Sequence, residues 1–295
     1  MTAELRVAVA IATTGRAAIL TETLRELERQ TVKPVLVAIC PADAVDVDKN
    51  ALAALDLTIE FTTGSKGASA QRNALLRIMP AVDVVLFLDD DFFLAPDYIA
   101  ELSKLFVSDP TIVLATGTLI ADGVHGPGFD ADAARTMIAA AKRNETARVE
   151  DIFNGYGCNM AVRWSAVAAH DLRFDENLPL YSWAEDVEYS RQIAAFGRIV
   201  KSNRLVGVHL GTKRGRTSGV RFGYSQVANQ AYLRRKGVIS TRLALLYCGR
   251  NVLANIIGTI RSEAYIDRRG RLLGNYYGVV DLLRGRSSPG RILDL

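Results

Sequence analysis

Residues Val84 to Ile99 read VVLFLDDDFFLAPDYI, an apolar strand that stops abruptly at Asp89, Asp90 and Asp91. Like charges one or two residues apart repel, and water at the mouth of a buried strand screens them only in part, so they need a counter-charge or a proton. A hard divalent cation supplies one. Side chains alternate along an extended chain, so Asp89 and Asp91 share one side and Asp90 takes the other. Two such carboxylates suit Mn2+ or Mg2+ with positions left open for phosphate oxygens. Helix capping is the competing use, because Ala95-Pro96-Asp97 opens the next helix, but one Asp suffices for a cap.

Three further clusters carry chemistry. In Tyr181-Ser182-Trp183-Ala184-Glu185-Asp186-Val187-Glu188, the carboxylates Glu185 and Asp186 sit near the start of a helix beside two aromatics. The helix dipole alone would favour acids there, yet a carboxylate beside sugar-stacking rings also fits a general base next to an acceptor. His209 ends an apolar run and is followed by Gly211-Thr212-Lys213-Arg214-Gly215-Arg216, where Lys213, Arg214 and Arg216 can clamp a diphosphate and the glycines permit closure. His125 and His170 have no such context. Gly67 to Asn73 (GASAQRN) opens a helix and offers backbone N–H groups and Arg72 to a nucleotide, although it is neither a P-loop nor a GxGxxG fingerprint.

These groups need a frame. Arg6 to Ala12, Pro34 to Cys40 and Val82 to Leu88 are continuous apolar runs, with a shorter one at Leu57 to Phe61. Between them Ile19, Leu20, Leu24 and Leu27 recur at helical spacing, and 68–79 reads as a second helix. A helix over 97–107 and a strand over 112–116 follow. Strands apolar on both faces, alternating with helices, predict an α/β open doubly wound, mostly parallel sheet flanked by helices, with ligands at the strands' carboxyl ends. From residue 117 the pattern loosens, with helices over 132–147 and 182–196, strands at 160–163 and 204–208, and a Gly-, Lys- and Arg-rich loop over 207–223. We therefore divide the chain into segments over 1–116 and 117–223 and a basic helical extension over 224–295.

The 295 residues carry a net charge of +4. Of the 36 Lys/Arg and 32 Asp/Glu, 12 and 4 fall in 234–295, so that stretch holds +8 and the remainder −4. A basic amphipathic extension predicts contact with an anionic membrane surface, lying on it rather than crossing, because Arg250, Asn251 and Asn255 interrupt the apolar run from Leu243 to Ile260. The alternative is a helix packed on its own domain with its arginines in water. No nucleic-acid reading motif accompanies the charge. Cys40, Cys158 and Cys248 have no disulfide or zinc spacing, and no signal peptide opens the chain. Together these predict a cytoplasmic protein, peripheral at the inner face of the cell membrane.

Taken in order, the pieces resemble glycosyltransferase family 2, nucleotide-sugar enzymes with the GT-A fold. The resemblance spans roughly Val7 to His209. It is carried by the strand ending Thr13-Thr14-Gly15-Arg16, by Leu27 to Thr31, by Gly67 with Arg72-Asn73, by the Asp trio, by Asn159 to Arg163 and by Glu185-Asp186-Val187. It implies that 1–116 is a nucleotide-sugar-binding half and 117–223 an acceptor-binding and catalytic half. It also implies that Thr13, Arg16, Asp43 and Arg72 lie around the nucleotide, with Lys213 and Arg214 on the diphosphate. Asp89 and Asp91 then form the DxD pair, Asp89 nearer the ribose, with His209 completing the metal's protein ligands. Asp186, beside Glu185, is similar to an inverting enzyme's base, and Tyr181 and Trp183 would line the acceptor. The implied activity is metal-dependent, inverting transfer of a sugar from a UDP, GDP or dTDP donor to a saccharide or lipid-linked saccharide, in polysaccharide or glycolipid assembly. A sugar nucleotidyltransferase needs a glycine-rich activation loop with Arg and Lys near the N-terminus, and the single glycine within Thr13 to Arg16 does not supply it. A non-catalytic nucleotide-sugar binder is the third class.

Overall fold

The computed structural model describes residues 5–142, 146–214, 217–261 and 264–295. Strands are β1 Val7–Thr13, β2 Leu36–Pro41, β3 Ile59–Phe61, β4 Val84–Asp89, β5 Phe92–Leu94, β6 Ile112–Asp122, β7 Val149–Asp151, β8 Asn159–Arg163 and β9 Arg198–His209. Helices are α1 Ala17–Glu28, α2 Lys49–Ala53, α3 Ala68–Arg77, α4 Tyr98–Ser108, α5 Ala131–Ala140, α6 Trp164–Ala169, α7 Glu185–Ile193, α8 Gly219–Arg235, α9 Thr241–Ile260 and α10 Arg268–Leu283. The chain forms two compact units, one of residues 1–66, 70–174 and 189–215, the other of 67–69, 175–188 and 216–295.

The first unit is a single sheet ordered β3-β2-β1-β4-β8-β6-β9-β5, with β7 paired to β9. Its first four strands are parallel; β8 runs antiparallel to both β4 and β6, and β6 runs parallel to β9. Period-two alternation assigns the faces. Val7, Val9, Ile11, Leu86 and Leu88 pack on one side with Leu20, Leu24 and Leu27 of α1 and Tyr98, Leu102 and Phe106 of α4. Ala8, Ala10, Val85 and Phe87 pack on the other with Leu75 of α3, Val167 of α6 and Tyr189 and Ile193 of α7. A strand buried on both faces must be apolar throughout, which is why β1 and β4 read as unbroken runs.

Several elements differ from the expected pattern: the strand expected over 204–208 begins at Arg198, the helix expected over 132–147 ends at Ala140, with 143–145 outside the described residues, α8 begins within the loop expected over 207–223, and β7 and α6 are additional. The strand expected over 112–116 continues to Asp122, with three register shifts against β9; its outer half loses the apolar signal because it leaves the core. β5 is three residues long, too short for periodicity to show, and pairs antiparallel with β9 at Phe92↔His209.

The second unit is held by α8, α9 and α10. A Cβ on Gly223 would lie 2.0 Å from the Arg271 carbonyl oxygen, and one on Gly274 2.0 Å from that of Val220, so α8 and α10 meet backbone to backbone. Leu178, Ala184, Leu233, Ile239 and Ala244 form a small apolar core.

Candidate active site

β4 ends on Asp89, Asp90 makes the turn and Asp91 leads into β5. The pairing of β5 with β9 brings Asp91 beside the end of β9, where the Leu210 N–H donates to the Asp91 carbonyl at 2.9 Å. The β6–β9 ladder sets Asp122 opposite His209. Topology alone thus gathers four ionisable residues from three strand ends.

Asp89, Asp91 and His209 each offer a ligand atom within 4.8 Å of the others. His209 Nε2 is 3.3 Å from Asp91 Oδ1 and 3.9 Å from Asp89 Oδ2. Its Nδ1 faces Asp122 Oδ1 at 3.1 Å, and Asp122 also accepts from the Tyr156 hydroxyl at 2.9 Å and the Val124 N–H at 3.1 Å. With a cation bound and the ring neutral, an Nδ1–H held by Asp122 would leave Nε2 as the ligand lone pair, the arrangement that orients metal-bound imidazoles. Burial works against the His209 charge, but Asp122, Asp91 and Asp89 raise its pKa to about 10. Burial likewise opposes the Asp91 charge, yet the His209 and Arg16 contacts and the Thr212 N–H, 2.7 Å from Oδ2, hold its pKa well below the usual carboxylate range.

A divalent cation fits here. Asp91 Oδ1 is buried and faces the His209 ring at 3.3 Å and Arg16 Nη1 at 3.5 Å, so it is a desolvated carboxylate oxygen turned to the cluster. Two carboxylates and one imidazole are a donor set that Mn2+ or Mg2+ accepts. Asp122→Asn is expected to weaken Mn2+ binding about 10–100-fold with the fold intact; titration of Mn2+ by electron paramagnetic resonance checks it.

Asp90 turns away from the cluster, as alternation predicts. It accepts from Thr13 Oγ1 at 2.6 Å and Arg16 Nη1 at 2.8 Å, and burial, opposed by Arg16, pushes its pKa up to about 6. Arg16 also donates to the Thr212 carbonyl at 3.2 Å and the Arg214 carbonyl at 2.8 Å, stapling the loop after β1 to the loop after β9. Arg72 is buried; it donates to Asp89 Oδ1 at 3.2 Å and the Gly157 carbonyl at 2.9 Å and lies over the Phe87 and Phe174 rings. Lys213 Nζ donates to the carbonyls of Gly123 and Val124, and Arg214 is exposed. Asp43 is exposed at the end of β2, where it caps a short 3-10 turn. Arg216, read with Lys213 and Arg214 as a diphosphate clamp, lies outside the described residues.

In the second unit, Glu185 and Asp186 open α7 and Glu188 completes its first turn. Leu180, Ser182 and Ala184 have φ of 57°, 54° and 70°, a left-handed conformation costing residues other than glycine on the order of 1–3 kcal/mol each. The turn persists because it is over-determined. Ser182 Oγ donates to the Leu178 carbonyl at 2.6 Å and accepts from the Ser69 N–H at 3.2 Å, while Asn229 Nδ2 donates to the Trp183 carbonyl at 2.8 Å. Lys236 ties buried Glu188 to Asp175 at 2.7 and 2.5 Å. Burial opposes the Lys236 charge, but these two partners hold its pKa above the ordinary value. Tyr181 and Trp183 stack at 6.3 Å with Phe222 against both, and no acceptor among the described residues reaches the buried Trp183 Nε1.

Asp122, Asp46 and Glu188 were not singled out from the sequence. Asp46 accepts from the Gly15 and Asp43 N–H groups, at 2.7 and 2.9 Å, and so shapes the loop that carries Arg16. The available signal for Asp122 was a carboxylate closing the run Leu119-Ile120-Ala121, the same device as Asp89.

A sheet of this order, with acids gathered at its strand ends, has the GT-A fold of the solved structures it resembles. The model of Glycosyl transferase family 2 matches residues 8–169, more than half of the chain. The protein belongs to that family and is a glycosyltransferase. A search of curated proteins found no match. Among solved structures, the mannosyltransferase PcManGT from Pyrobaculum calidifontis, in complex with GDP-Man and Mn2+, is similar at 17% identity and a TM-score of 0.58, over 96% of this chain and 87% of that one. S. aureus TarS is similar at 16% identity and 0.52, over 97% of this chain and 55% of that one. A TarS 1-349 structure in complex with UDP-GlcNAc gives 15% and 0.51, over 78% and 67%. At these identities the likeness carries the fold.

Proposed function

We propose that the protein is a metal-dependent inverting transferase that moves a sugar from a UDP, GDP or dTDP donor to a saccharide or lipid-linked saccharide in polysaccharide or glycolipid assembly, working as a peripheral protein at the inner face of the cell membrane. The observation that carries the reading is the Asp89-Asp91-His209 cluster. Two of the similar structures hold a nucleotide-sugar, one of them with Mn2+.

Asp89, Asp91 and His209 hold the cation, Mn2+ or Mg2+, which when bound neutralises charge on the diphosphate leaving group. Arg72 fixes the Asp89 carboxylate. Asp122 fixes the ring of His209, and Arg16 holds the loop bearing Lys213 and Arg214 over the diphosphate. Thr13 and Asp43, at the ends of neighbouring strands, face the nucleoside. Tyr181 and Trp183 give the acceptor an apolar platform.

Asp186 acts as base, with Glu185 beside it supporting the acceptor. The acceptor oxygen attacks the anomeric carbon as its proton passes to the Asp186 carboxylate. The bond from that carbon to the phosphate oxygen breaks, the electron pair leaves with the nucleoside diphosphate, and the configuration inverts. The over-determined turn before α7 supports this role, since strain held by a surrounding network marks functional backbone. Incubation with UDP-, GDP- and dTDP-sugars and saccharide acceptors, followed by NMR of the product anomer, tests the reading. Inverted product with one donor is expected; retained configuration rejects the single displacement.

A further inference from the structure

Two of the three C-terminal helices, α9 and α10, are built with their polarity reversed. The buried stripe of α9 is Ala244, Asn255 and Gly258, and that of α10 is Gly274, Asn275, Gly278 and Asp281. Inside, Asn255 Nδ2 donates to Gln226 Oε1 and Asn275 Oδ1, both at 2.8 Å, Asn275 Nδ2 donates to the Gly223 carbonyl at 2.7 Å, and Arg268 donates to Asn255 Oδ1 at 3.0 Å. Outside stand Leu245, Leu253 and Ile260 of α9 at 69%, 56% and 78% exposure, and Tyr276 and Leu283 of α10 at 62% and 82%. A water-soluble helical unit sorts its residues the other way. Small residues letting backbones touch, amides bonding across the interface and apolar side chains outward are how helices associate in lipid.

The surrounding charge selects the lipid. Arg242, Arg250, Arg261, Arg269 and Arg284 are all exposed, in a stretch with 12 basic and 4 acidic residues. α9 is the one helix among the described residues long and apolar enough to cross a membrane, and its 20 residues would reach about 30 Å at 1.5 Å per residue. Crossing would, however, bury the exposed Arg250 near the bilayer centre, where an unpaired guanidinium is disfavoured. Lying in the interface, Arg250 reaches lipid phosphates while the leucines beside it enter the acyl boundary.

We infer that α9 and α10 together form a monotopic anchor, lying in the plane of an anionic bilayer with Leu245, Leu253, Ile260 and Leu283 inserted and the arginines on the phosphates. This deepens the proposed peripheral membrane contact and rests on none of the transfer chemistry, so donor calorimetry on the same preparation separates failure of one from failure of the other.

The test is flotation of the full chain with vesicles of phosphatidylglycerol and phosphatidylcholine, against phosphatidylcholine alone. Binding to the anionic vesicles at least about tenfold tighter is expected, weakening as salt is raised. The double variant Leu253→Asp, Ile260→Asp is expected to lose vesicle binding at least about tenfold while melting and binding donor as the parent does, because both positions face solvent. Spin labels at 253 and 260 should report depths near the acyl boundary. Unaltered binding by the double variant, equal affinity for neutral vesicles, or a label at 253 at the bilayer midplane would overturn the inference. So would a discrete dimer that ignores vesicles, which would make a second copy the occupant.

Discussion

Replacing Asp186 by Asn is expected to lower turnover about 10²–10⁴-fold, the usual worth of general base catalysis, while donor affinity stays at the parent value. The amide keeps the size of the side chain and removes only its basicity, so the effect falls on kcat. Asp186 sits in the first turn of α7 after three left-handed residues, and an isosteric change does not disturb the Ser182 and Lys236 contacts that hold that turn. Steady-state kinetics on the parent and the variant check this. A variant retaining more than about a tenth of parental turnover would remove Asp186 from the base role.

Asp91→Asn is expected to act at the donor. Asp91 is 1% exposed, and among the described residues the cations that face it are His209 and Arg16, so a bound cation would share its charge. Asn retains an oxygen for the Thr212 N–H, and the loop after β9 keeps its anchor. Stabilisation of a leaving group by a metal is worth several kcal/mol, and each 1.36 kcal/mol is tenfold. The loss in kcat/KM is therefore about 10²–10³-fold. In Mn2+ the variant should bind the donor no better than the chelated parent does. A thermal melt on the same sample separates this from unfolding.

Much of this arrangement was legible in the sequence because it obeys a short period. The parity of Asp89, Asp90 and Asp91 follows from the two-residue repeat of a strand, and the structure turns Asp90 to the Thr13 hydroxyl and Arg16 while Asp89 and Asp91 meet at His209. The apolar runs of β1, β2 and β4 are legible because both of their faces are buried. Partnerships set by long-range pairing were not legible. Asp122 and His209 are 87 residues apart and meet only through the β6–β9 ladder, and the link from Glu188 to Lys236 spans 48 residues. Arg72 illustrates a second limit. Its place at the start of α3 matched a nucleotide-facing residue, but its burial against Phe87 and Phe174 and its bond to Asp89 depend on strands far along the chain. The reversed polarity of α9 was hidden for a different reason. Composition shows an apolar helix interrupted by Asn and Arg, and only packing reveals that Asn255 points inward while Leu245 and Ile260 point out.

The central claim is that Asp89, Asp91 and His209 hold a divalent cation on which donor binding depends. Isothermal titration of the full chain with each nucleotide-sugar, in Mn2+ and again in excess chelator, tests it most directly. The account predicts that one donor binds in Mn2+ and that chelation weakens it at least about a hundredfold. Equal affinity in the two conditions would contradict it.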